Sequence, residues 1–73
     1  MNEANVIKDA VVLIKEYAQE LSRKERRTDV EVGELLGYAE ALNVLQDVCP
    51  LDMRRAVGLD FDIDKAYLSG VRK

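Results

Sequence analysis

Between Thr28 and Cys49, in TDVEVGELLGYAEALNVLQDVC, apolar side chains occupy more of a helical circumference than anywhere else in the chain. At about 100° per residue, Val32, Leu35, Leu36, Ala39, Leu42, Leu45 and Cys49 fall on one broad arc, with Tyr38 at its edge. A second stripe, Gly33, Gly37, Ala41, Val44 and Val48, lies roughly opposite, and its first members are small residues four positions apart. Glu34, Glu40 and Asp47 point outward, while Asn43 and Gln46 sit within or beside the main arc. A helix apolar on two sides requires cover on two sides. Each internal glycine costs about 1 kcal/mol against alanine, so the stripe predicts a close helix contact centred on Gly37, the alternative being glycines tolerated on a solvated flank.

The ends of this helix are also written locally. Thr28 and Glu31 have the spacing of a capping box, in which each side chain accepts from the other residue's backbone N–H. Asp29, Glu31 and Glu34 place negative charge at the positive end of the helix dipole. Pro50 cannot donate a backbone hydrogen bond and disfavours helical geometry at Cys49, which predicts a helix over 29–48.

Upstream, Val6, Ile7, Ala10, Val11, Leu13, Ile14, Tyr17, Ala18 and Leu21 share one face, and only Val12 breaks the pattern. No proline or glycine interrupts the run, so a helix over 3–25 is expected, and the short connection implies an antiparallel hairpin. After Pro50, residues 51–57 form a short helix closed by Gly58, and Leu59, Phe61 and Ile63 alternate with Asp60 and Asp62 so that they turn toward the hairpin. A final helix over 63–69, anchored by Tyr67 and Leu68, is capped by Asp62 or Asp64 and stopped by Gly70.

The expected architecture is therefore all-α, a single domain over 1–73: a two-helix hairpin with a short helical and extended C-terminal tail. A chain of 73 residues buries only about 60% of its unfolded surface, which makes a monomer marginal. Together with the two-sided helix, this predicts a homodimer resembling a four-helix bundle.

Composition narrows the chemistry. Apolar residues make up 48% and charged residues 34%, a globular balance, and the net charge of −3 gives no strong pull toward nucleic acid or membrane. The longest apolar run, Ala10 to Ile14, is far too short to span a bilayer, so a cytoplasmic protein is expected. One cysteine and no histidine exclude an internal disulfide, a zinc finger and histidine-dependent catalysis. Cys49 reads as a small apolar residue on the main arc. No catalytic residues, cofactor or metal are assigned, and the chain reads as non-enzymatic. Asp60, Asp62 and Asp64 imitate the start of a calcium loop, but Lys65 stands where its turn glycine belongs and Val71 where its last glutamate belongs.

Arg23, Lys24, Arg26 and Arg27 surround Glu25 in the connection. Cations there complement the C-terminal end of the first helix and can pair with Asp29 and Glu31. The competing reading is a phosphate-contacting patch on an RNA- or DNA-binding accessory dimer, although no aromatic residues interleave to stack bases.

The segments GELLGYAEALNVLQ and GLDFDIDKAYL resemble those of small helical proteins of phage and prophage genomes, over the C-terminal two thirds of the chain. The resemblance implies a phage-associated regulatory or anti-defence setting and carries no catalytic residues with it. At the level of fold alone, the hairpin is similar to the ROP-type dimer. The leading expectation is a small protein-interaction module, homodimeric and with a protein partner.

Overall fold

The computed structural model describes residues 3–71, and side chains from residue 5 onward. Among the described residues there are four helices: α1 (Glu3–Ser22), α2 (Asp29–Val48), α3 (Leu51–Val57) and α4 (Ile63–Tyr67). The chain is all-α. α1 and α2 pack as an antiparallel hairpin, α3 rests on α1, and α4 rests mainly on α2.

Local signals set most boundaries. Thr28 Oγ1 accepts from Glu31 N at 3.1 Å and Glu31 Oε1 accepts from Thr28 N at 3.1 Å, which completes the capping box. Cys49, extended before Pro50, closes α2. Gly58 closes α3 in the left-handed region at φ 81°, and the Asp62 carboxylate accepts from Lys65 N to open α4.

Two helices end earlier than their sequence patterns suggest. α1 stops at Ser22 and not near residue 25. There the Arg27 guanidinium folds back and donates from Nη1 to the carbonyls of Leu21 (3.0 Å), Ser22 (3.2 Å) and Lys24 (3.0 Å), taking the place of further helical turns. α4 ends at Tyr67 and not near 69, because Val71 N bonds Leu68 O at 3.0 Å in a tight turn.

Every helix contributes to one core: Val11 and Ala18 from α1, Leu35, Ala39 and Leu42 from α2, Val57 from α3, Ile63 from α4, with Leu59 and Leu68 beside them. The alternating tail behaves as its pattern requires, with Leu59 and Ile63 buried, Phe61 half-buried, and Asp60 and Asp62 outward. Polar side chains then fasten the tail to the hairpin. Gln46 Nε2 donates to Leu59 O (2.7 Å) and Phe61 O (2.8 Å), and Asn43 Nδ2 donates to Asp64 Oδ1 (2.8 Å). From α1, Lys15 Nζ donates to Gly58 O (3.1 Å) and lies 4.9 Å from the centre of the Phe61 ring. Arg54 Nε closes the corner by donating to Gln46 O (2.8 Å) and Cys49 O (3.3 Å).

Candidate functional site

All of these fastenings leave the hairpin on one side. Lys15 on α1 and Asn43 and Gln46 on α2 lie on the flanks facing the tail, and at about 100° per residue the opposite flanks carry Tyr17 and Tyr38. Those two rings stack at 5.7 Å between centroids. The tail therefore covers one face of the hairpin and leaves the other open.

The open face is apolar. On α1 it carries Val6, Ala10, Leu13 and Tyr17, all exposed, with Leu13 51% accessible. On α2 it carries Gly37, Ala41, Val44 and Val48, also exposed, with Val48 72% accessible. Tyr38 and Leu45 are half-buried in the valley between the helices. No charged side chain interrupts either stripe. Charge begins only at the turn, where Glu20, Lys24 and Glu34 join Tyr17, Leu21 and Tyr38 around a hollow of about 180 Å³.

Sequence periodicity assigns the whole apolar face of α1 to the core, and here the structure corrects it. Only Val11 and Ala18 are fully buried, Ile14 and Leu21 are half-buried, and Val6, Ile7, Ala10, Leu13 and Tyr17 remain exposed. The physical reason is the width of the arc: α2 and the tail cover about half of it, and among the described residues no other element packs on the rest. The stripe Gly33, Gly37, Ala41, Val44 and Val48 likewise faces outward along its length. The close contact expected at Gly37 is not made within the chain, since a Cβ at Gly33 or Gly37 would meet nothing within 4 Å. Sequence reasoning thus found one half of the open face and missed the half on α1. The available signal was that Val6, Ala10, Leu13 and Tyr17 recur at helical spacing on the outer edge of an arc too wide for one neighbour.

The four basic residues of the connection separate into two pairs. Lys24 is bound to the Glu31 carboxylate and Arg27 to three backbone carbonyls, whereas Arg23 and Arg26 are exposed. The hydrogen bond from Lys24, followed by that from Thr28 N, holds the Glu31 carboxyl well below the usual carboxylate range, and the same pairing raises the Lys24 ammonium. Asp62 and Asp64 are occupied by the α4 cap and by Asn43, and Cys49 is a half-buried residue at the end of α2. A groove of about 450 Å³ between α1 and α4 is lined by Lys15, Gln19, Ser22, Arg23, Phe61, Ala66 and Tyr67. Burial raises the Tyr67 phenol, and no carboxylate stands on the lining.

Fold and surface together define an all-α hairpin with a helical cap on one face and an uncharged apolar strip on the other. Comparison of the chain with family models, with curated proteins and with solved structures finds no match.

Proposed function

We propose that this chain is a non-enzymatic protein-binding module, acting in the cytoplasm through the open apolar face of its hairpin. One observation carries the reading. Val6, Leu13, Tyr17, Val44 and Val48 are large apolar side chains exposed on one side of the same two helices, with no charge among them. Contiguous patches of this kind on small globular proteins mark interaction surfaces, whereas scattered exposed apolar residues do not. The resemblance to small phage and prophage proteins adds a genomic setting, in which such a module would be regulatory or anti-defence.

The RNA- or DNA-binding alternative draws on Arg23, Lys24, Arg26 and Arg27, and engagement of Lys24 by Glu31 and of Arg27 by backbone carbonyls leaves it two free cations. Two phosphate contacts per chain give weak, strongly salt-dependent binding.

The test compares two double variants in cells of the source organism. Leu13→Lys with Val48→Lys, checked for retained helicity, is expected to lose the protein captured by the wild type, while Arg23→Gln with Arg26→Gln retains it. Salt-sensitive binding of hairpin RNA or duplex DNA that survives the first pair of substitutions and disappears with the second would reverse the assignment.

A further inference from the structure

The geometry points to a second copy of this chain as the occupant of the open face, packed face to face with the two turns at opposite ends. This inference rests on the open face being a binding surface and adds the identity and orientation of what covers it.

Size comes first. Two 20-residue helices are about 30 Å long and, side by side, about 20 Å wide, so hairpins overlapped along their length cover about 600 Å² per copy and about 1,200 Å² in a pair, with the uncharged strip from Val6 to Tyr17 forming the central stretch of about 17 Å. That reaches the lower range of specific interfaces.

Register comes next. The Tyr17–Tyr38 stack fixes which residues share a level, and it sets Leu13 beside Leu42 and Val6 beside Cys49. The stripe from Val6 to Tyr17 and the stripe from Gly37 to Val48 are consequently centred at nearly the same height. A two-fold axis across the hairpin at that height lays α1 against α1 and α2 against α2 of the second copy, antiparallel in each case. Val48 then meets Gly37, Val44 meets Ala41, Leu13 meets Ala10, and Tyr17 meets Val6. Three of these four pairings set a large side chain against a small one, and the open space above Gly37 receives Val48.

Charge selects this axis over the alternative. An axis running along the helices would place the turns together and set Glu20 of each copy opposite Glu34 of the other, since those two residues flank the same hollow at the turn, where the one cation on the lining, Lys24, is already held by Glu31. With the turns at opposite ends, Glu20 and Glu34 of one copy lie toward the Val6 and Val48 end of the other, away from their own counterparts.

Sedimentation equilibrium from about 1 to 500 μM, followed by cross-linking with a short bismaleimide in a Cys49→Ala background, tests the inference. The expected results are a mass that doubles across the range, efficient cross-linking of Leu13→Cys with itself, and none of Tyr17→Cys with itself. The copies of residue 13 stand only about 4–5 Å apart along the helix axis, against about 16 Å for residue 17. A mixture of Val6→Cys and Tyr17→Cys should yield the mixed product. Gly37→Arg, helical by circular dichroism, should weaken association at least tenfold. A single-chain mass throughout would overturn the second copy as occupant while leaving the captured-partner result to judge the face itself. Equal cross-linking at residues 13 and 17 would overturn the orientation.

Discussion

Replacing Gln46 by leucine isolates the force that places the tail. The substitution keeps the approximate volume of the side chain and removes the amide whose Nε2 donates to Leu59 O at 2.7 Å and Phe61 O at 2.8 Å. Each bond contributes about 0.5–1.5 kcal/mol. Gln46 is half-buried, so water can recover part of what the two carbonyls lose, and the leucine gains some apolar contact with the buried Leu59. The net cost works out at about 1–2 kcal/mol. For a domain of this size each kcal/mol lowers the melting temperature by about 4–8 °C, so a fall of about 5–15 °C is expected in a thermal melt followed at 222 nm. Amide exchange should accelerate most between residues 59 and 67, because that segment loses its tether to α2 while the α1–α2 contact persists. A melt within about 2 °C of the wild type, with exchange in the tail unchanged, would show that apolar packing of Leu59 and Ile63 alone fixes the segment.

Two glycines should respond with opposite signs. Gly37→Ala, measured where the chain is monomeric, should stabilise by about 1 kcal/mol, because the added methyl meets nothing and gains helix propensity; Gly58→Ala should destabilise by about 1–2 kcal/mol, because φ 81° disfavours a side chain. A loss of stability in Gly37→Ala in urea melts would reveal a contact within the chain at that position. Acid should weaken the start of α2 in a particular window. The folded chain holds the Glu31 carboxyl below its unfolded value of about 4.3, so the unfolded state takes up the proton first, and the stabilisation is complete above that value and lost as pH falls toward the lowered one. The difference in melting temperature between wild type and Glu31→Gln should shrink as pH drops from 6 to about 2.5, and parallel curves would contradict the assignment.

Elements whose causes are local were legible in the residues alone. Thr28 and Glu31 are three residues apart and cap α2 through bonds that need no other part of the chain; Pro50 and Gly58 stop helices through their own backbone chemistry; Asp62 caps α4 in the same way. The hairpin and the direction of the tail followed from apolar spacing, because a helix or strand must bury the side on which its apolar residues lie. Tertiary structure decided everything that depends on how much of an arc a neighbour can reach. Periodicity placed Leu13 and Ala18 on one apolar face of α1, yet Ala18 is sealed and Leu13 is half in water, because the tail approaches from the Lys15 side only. It also decided the boundary of α1, since Arg27 returns from beyond the turn to bind the carbonyls of Leu21 and Ser22, a contact between residues that no helical period relates. Gln46, polar on an apolar arc and unexplained by periodicity, acquired its reason only when the carbonyls of Leu59 and Phe61 were brought within its reach.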